Sequence, residues 1–169
     1  MSKIGFLGGC FNPPTLAHFE MVQEALSKFE LDKVVVVPMG DKYPKDGLIS
    51  FEHRFEMLQK MFADQQCVEI SRMQASQKET SYAIDTFRKI EEEYPNAQRF
   101  FIMGEDNFAK IETWKEGKEL VKDRKFIVFE RKDKTSSSLI RQKIKTNEKF
   151  ENLTLPEITN YINQKGLYR

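Results

Sequence analysis

The stretch Gly8-Gly9-Cys10-Phe11-Asn12-Pro13-Pro14-Thr15-Leu16-Ala17-His18 lies between the apolar run Lys3 to Leu7 and a segment in which Phe19, Val22, Leu26 and Phe29 recur every three or four residues. The run reads as a buried strand, and the spacing after it as an amphipathic helix with one face inward. The eleven quoted residues are therefore a strand-to-helix turn. Glycines there let the backbone come close to a phosphate, and a helix start offers unpaired N–H donors with a partial positive charge. Thr15 and His18, three residues apart, share a helix face in the first turn and aim a hydroxyl and an imidazole at one point. A lone Gly-Gly or a lone histidine would be read as turn and packing chemistry; the combination reads as a polyanion cradle.

The pattern continues outward from this turn. Val34 to Val37 is a second buried strand, closing a βαβ unit, and Ser50 caps a helix carrying Phe51, Phe55, Leu58 and Phe62. Val68 to Ile70 is a short strand. A helix from Ser81 carries Ile84, Phe87 and Ile90 and stops at Tyr94-Pro95, since proline cannot continue it. Phe100 to Met103 and Phe126 to Phe129 are further strands, and Ser137 to Thr146 and Pro156 to Gln164 are closing helices, the last ended by Gly166. Strands alternating with helices predict an α/β fold, a Rossmann-like doubly wound parallel sheet, in one domain over residues 1–169. Ligands of such sheets sit beyond the carboxyl ends of the strands. The Gly8 to His18 turn and the Met39 to Ile49 loop, expected to be the most mobile one, would share that crevice.

Net charge is +1 with 31% charged residues, so no general basic field draws the chain onto nucleic acid and any anion site must be local. Apolar runs such as Val34 to Val37 are too short to span a bilayer, and Met1-Ser2-Lys3 leads straight into a strand without a signal-peptide core. A cytoplasmic protein without a membrane partner is expected. Cys10 and Cys67 show no metal-ligand spacing, so no protein metal ligand is predicted, and Cys10 reads as a small packing residue.

A second anion signal lies far downstream in Ser136-Ser137-Ser138-Leu139-Ile140-Arg141, where hydroxyls at a helix start precede an arginine in the first turn. Alone it would be an ordinary serine cap. Together, the two stretches resemble the GxFNPxTxxH and ISSTxIR motifs of the nucleotidyltransferase superfamily, matching at Gly8, Gly9, Phe11, Asn12, Pro13, Thr15 and His18 and at Ser136, Ser137, Ile140 and Arg141. Ala17 stands where glycine is common, Thr15 where the first histidine is common, and Ser138 for threonine. The resemblance implies a nucleotidyltransferase-type Rossmann fold that binds ATP through Gly8, Gly9, Phe11, Asn12, His18, Ser136, Ser137 and Arg141. His18 and Thr15 would be catalytic at the α-phosphate.

The middle of the chain bears on the acceptor. Gly40 to Ser50 with His53-Arg54 resembles nicotinamide mononucleotide adenylyltransferases, where the equivalents of Tyr43 and Lys45 line the nucleotide site. Thr80-Ser81-Tyr82-Ala83-Ile84-Asp85-Thr86-Phe87 looks like the helix start that meets the pyridine substituent in nicotinate mononucleotide enzymes, which implicates Thr80 and Tyr82. Gly104-Glu105-Asp106 resembles the family's GxD, whose aspartate meets a ribose. Trp114 takes the position of a tryptophan that stacks on the pyridine ring. The implied reaction is adenylyl transfer from ATP to nicotinate or nicotinamide mononucleotide, with the acceptor's phosphate as nucleophile and a Mg2+ held by phosphate oxygens and water. Alternatives are another transferase of the superfamily, such as the phosphopantetheine enzyme, or a nucleotide-binding regulatory protein without catalysis. Homo-oligomerisation is left open.

Overall fold

The computed structural model describes residues 1–169. In chain order the elements are β1 (Lys3–Gly9), α1 (Leu16–Lys28), β2 (Lys33–Pro38), α2 (Phe51–Met61), β3 (Val68–Ile70) and α3 (Ala83–Glu93). They continue with β4 (Gln98–Gly104), α4 (Glu105–Phe108), α5 (Gly117–Val121), β5 (Lys125–Phe129), α6 (Ser137–Lys145) and α7 (Pro156–Lys165), and 3-10 turns cover Ile111–Thr113 and Glu151–Leu153. The sheet is five-stranded and parallel, in the order β3-β2-β1-β4-β5. The order reverses between β1 and β4, so the crevice beyond their carboxyl ends is the switch point at which such sheets bind ligands.

Strand residues alternate between two cores, as the pleat requires. Leu7, Val34, Val36 and Ile102 pack with Val22, Met57, Leu58, Ile140, Ile158 and Ile162 on one face. Phe6, Val35, Val37, Phe101 and Met103 pack with Ile84, Phe87, Ile90, Ile111 and Leu120 on the other. Helices α1, α2, α6 and α7 thus cover one side and α3 and α5 the other, which is the doubly wound arrangement.

The predicted elements recur with small changes at their ends. Helix α1 begins at Leu16, with Thr15 as its N-cap rather than inside its first turn; the Thr15 side chain accepts the His18 backbone N–H. Helix α3 begins at Ala83, not Ser81, with Tyr82 at its N-cap, because the Asp85 carboxylate accepts the Tyr82 backbone N–H and fixes the start there. Ser50 and Ser136 cap α2 and α6 through their hydroxyls. The short helices α4 and α5 carry no periodicity long enough to be read from sequence.

The loop from Met39 to Ile49 is tied at several points. The fully buried Arg54 guanidinium donates to the carbonyls of Ile49 at 2.8 Å, Cys10 at 3.0 Å and Met39 at 2.6 Å, and to Asp41 Oδ1 at 3.1 Å. The buried Asn12 amide donates to the Gly47 carbonyl at 3.0 Å and accepts the Ile49 N–H at 3.3 Å. The middle of the loop, Asp41, Lys42 and Pro44 to Gly47, stays exposed.

Arg54→Met keeps the volume but leaves buried carbonyl oxygens without a donor. It should lower the unfolding free energy by about 3 kcal/mol or more, read from urea midpoints at constant m-value.

Candidate active site

Two cavities open side by side at the switch point. The first, about 350 Å3, is polar: Thr15, Ala17 and His18 of the first turn, Gly104 and Asp106 after β4, and Ser136, Ser137 and Ser138 at the start of α6 all line it. The second, about 340 Å3, is mostly apolar and is lined by Gly8 and Gly9, Met39, Tyr43, Ala83, Thr86, Phe87, Phe101 and Trp114, among others. Lys45 and Asn107 belong to both walls. Two helix N-termini, from opposite ends of the chain, therefore converge on the polar cavity, where they present N–H donors and partial positive charge.

The two motifs are joined by direct hydrogen bonds. Ser137 Oγ donates to the Pro13 carbonyl at 2.6 Å, and Arg141 donates to the Asn12 carbonyl at 2.8 Å and to Ser138 Oγ at 3.2 Å. Further along, Thr154 donates to the Pro14 carbonyl at 2.9 Å and Tyr168 to Asn12 Oδ1 at 2.9 Å. The turn from Asn12 to Pro14 is thus held from the C-terminal third of the chain.

His18 sits half-buried against Phe11, ring centroids 4.8 Å apart and edge to face. Its Nδ1 accepts the Thr15 backbone N–H at 3.0 Å and lies 3.2 Å from Thr15 Oγ1. An Nδ1 that accepts carries no proton, so the neutral ring holds its hydrogen on Nε2 as a donor. Burial, and then the charge of Lys45, push the ring's pKa down to about 4, so His18 is a neutral donor at physiological pH. Burial likewise raises the Cys10 thiol, which leaves it protonated and suited to the packing role its sequence context suggests.

Most of the predicted residues line one cavity or the other. His18, Thr15, Gly104, Asp106, Ser136 and Ser137 line the polar cavity, Gly8, Gly9, Tyr43 and Trp114 the apolar one, and Lys45 both. Phe11, Asn12 and Arg141 lie in neither wall: the Phe11 and Asn12 side chains are buried, and Arg141 braces the turn from behind. Phe11 also takes φ +51, a left-handed conformation that a bulky residue adopts only when its surroundings hold it there. Thr80 and Tyr82 are exposed and outside both cavities, because α3 starts at Ala83 and turns Ala83 and Thr86 inward instead.

No motif marks Arg131 or Lys132. Arg131 pairs with Asp106 at 3.0 Å and Lys132 with Glu24, which closes one side of the polar cavity. Only helical spacing from Ala83 could have pointed to Thr86. No group of three or more His, Cys, Asp or Glu side chains that could hold a metal ion is assembled. No helix is long and apolar enough to cross a membrane.

The profile of the cytidylyltransferase-like family matches residues 6–151. A protein of Enterococcus faecalis is 31% identical over 186 residues, which cover 99% of this chain and 85% of that one. A Geobacter protein is 40% identical over 116 residues, covering 68% of this chain and 54% of that one. Both bear the name probable nicotinate-nucleotide adenylyltransferase. A crystal structure from Vibrio parahaemolyticus, assigned the same activity, superposes with a TM-score of 0.81 at 27% identity, over 100% of this chain and 96% of that one. The fold is also that of the Plasmodium falciparum nicotinic acid mononucleotide adenylyltransferase in complex with NaAD, with a TM-score of 0.86 at 20% identity, covering 99% and 98% of the two chains. The paired helix starts at one polar cavity and these relatives agree, and the chain belongs to the cytidylyltransferase-like family, beside the nicotinate-nucleotide adenylyltransferases.

Proposed function

We propose that this chain transfers the adenylyl group of ATP to nicotinate mononucleotide, giving the deamido dinucleotide and pyrophosphate. The carrying observation is the pair of adjoining cavities: a polar one at two helix N-termini, suited to a polyphosphate, and an apolar one with Trp114 in its wall, suited to a flat ring. The names of the relatives favour the nicotinate form, and they lend nothing to a phosphopantetheine acceptor or to a purely regulatory role.

The acceptor's phosphate oxygen attacks the α-phosphorus of ATP, and the bond to the β-phosphate oxygen breaks as pyrophosphate leaves. No protein nucleophile is needed; placement and charge stabilisation lower the barrier. His18 donates from Nε2 to an α-phosphate oxygen, where negative charge crowds in the transition state. Its Nδ1, held by Thr15, keeps that tautomer and ring orientation. The α6 start with Ser136 and Ser137 receives the leaving phosphates, while Arg141 keeps that helix and the first turn in register. Lys45, at the seam of the two cavities, balances phosphate charge from both substrates.

Magnesium is the cation this chemistry calls for. The carboxylates beside the polar cavity offer it no ready cage, since Asp106 is paired with Arg131 and Glu24 with Lys28 and Lys132. It would come with the nucleotide, bound by phosphate oxygens and water, and would offset phosphate charge.

Pyrophosphate release in the presence of ATP, magnesium and nicotinate mononucleotide tests the reading directly; no release from the folded protein would refute it. His18→Ala should cut turnover by about 100-fold or more with thermal unfolding still cooperative; near-normal turnover would remove His18 from the mechanism. The histidine ring offers a second check by proton NMR, since the chain has only 2 histidines. The signal lost in His18→Ala should stay at its neutral position from pH 8 down to about 5 and titrate near pH 4, and Lys45→Met should move that midpoint upward. Because the unfolded ring takes up its proton at 6.5 and the folded ring only at about 4, stability should fall as pH drops from 6.5 towards 4.

A further inference from the structure

Helix α7 does not run on past Lys165. Gly166 takes φ +61 and the Leu167 N–H donates to the Ile162 carbonyl at 3.1 Å, which turns the chain back. Leu167 and Tyr168 then pack against the core that holds Leu7 and Ile162. Tyr168 itself takes φ +65, a left-handed conformation that an aromatic residue keeps only where its surroundings hold it. Its polar anchor is the hydroxyl, which donates to Asn12 Oδ1 at 2.9 Å. Burial pushes the phenol's pKa up against the pull of Arg141 and Arg54, so it stays protonated and a donor.

Asn12 has no exposed surface, and two hydrogen bonds of its amide go to the loop after β2. Nδ2 donates to the Gly47 carbonyl at 3.0 Å, and Oδ1 accepts the Ile49 N–H at 3.3 Å. With those two alone, amide and loop could swing as one unit about the Asn12 side-chain bonds. The Tyr168 hydroxyl is the amide's hydrogen bond to a group outside the loop, so it decides where the pair stands. Gly47 lies two residues after Lys45 and ties that side of the exposed stretch to the turn. A Cβ at Gly47 would meet nothing within 4 Å, so close packing does not hold this point instead. On the other side the Lys45 N–H donates to the Tyr43 carbonyl at 2.8 Å, a bond within the loop itself.

We infer that Tyr168 is a positioning residue for the transfer: by fixing the Asn12 amide, its hydroxyl sets the Gly47 side of the loop and keeps the Lys45 ammonium at the seam of the two cavities. This rests on the adenylyl-transfer reading and adds to it a residue that lines neither cavity. Lys45 is an exposed cation on a flexible stem. Such a group stabilises developing phosphate charge only from the right place, since small misplacements cost large factors in rate. Without the hydroxyl the ammonium is free to turn into solvent, away from the phosphates and from His18.

The test is a double-mutant cycle between Tyr168→Phe and Lys45→Met, read as kcat at saturating substrates and as the titration midpoint of His18 by proton NMR. Phenylalanine keeps the packing of the ring and leaves Asn12 Oδ1 the Ile49 N–H. Tyr168→Phe should lower kcat by about 10-fold in the wild type but by less than about twofold in Lys45→Met. It should also move the His18 midpoint up from about 4, in the direction expected for Lys45→Met, and add nothing in that background. Thr154→Val is the control for a purely structural effect. It takes a hydrogen bond of 2.9 Å from the Pro14 carbonyl of the same turn without touching the loop, so its effects should be alike in both backgrounds. Equal factors for Tyr168→Phe with and without Lys45 overturn the inference, as does an unchanged kcat or an unchanged midpoint. A Tyr168→Phe chain that no longer unfolds cooperatively makes the hydroxyl a stability element and overturns it too. A folded wild type that forms no dinucleotide defeats the adenylyl-transfer reading itself, and this inference with it.

Discussion

The site depends on Arg54. It has no exposed surface, and its guanidinium fills the space between the ends of β1 and β2 with donors to three carbonyls and a carboxylate. Those carbonyls belong to the first turn and to the Met39 to Ile49 loop, the two segments that carry His18 and Lys45. A buried guanidinium is tolerated because its planar fork can satisfy several acceptors at once, which an ammonium group on a flexible stem could not do with the same geometry. Asn12 acts in the same way from the other side, linking the turn to Gly47, Ile49 and Tyr168. The polar residues of the first motif thus divide their work: some shape the cradle, and others face into it.

Electrostatics follow from that architecture. A cavity that collects phosphate charge is usually imagined as crowded with cations, yet His18 enters it uncharged, because burial and the neighbouring Lys45 both disfavour its proton. A neutral Nε2–H donor does not change charge over the working pH range and orders no counter-ion. Arg131 and Lys132 in the same wall are paired with carboxylates, so unpaired positive charge is left to Lys45 and to the two helix N-termini, whose dipoles need no side chain and are oriented by the fold.

The contact between the polar and apolar cavities has a chemical meaning. In a direct transfer the nucleophile and the leaving group must lie in line across one phosphorus, so the two substrates have to meet end to end. Lys45 and Asn107 line both walls, so the two cavities adjoin within a single domain. The switch point of the sheet supplies the place, since β1 and β4 send their following segments to opposite faces and leave a gap between them.

Much of this was legible in the residue order. The alternation of short β-branched runs with three- and four-residue helical spacing determined a doubly wound parallel sheet, and the turn at Gly8 to His18 together with Ser136 to Arg141 pointed to two capped helix starts, which the fold brings to one cavity, because strand period, helix period and cap chemistry are local properties. What side chains at those positions face was not local. Asn12 and Arg141 belong to the anion-binding motifs and are consumed in bracing the turn, Tyr82 belongs to the acceptor motif and points to solvent, and Thr86, four residues later in the chain, takes the inward position once Asp85 sets where α3 begins. Which elements form, and which side chains they carry, follows from the residue order. Which polar groups are spent on each other and which face a cavity is settled by folding, because it depends on contacts between residues as far apart as Asn12 and Tyr168.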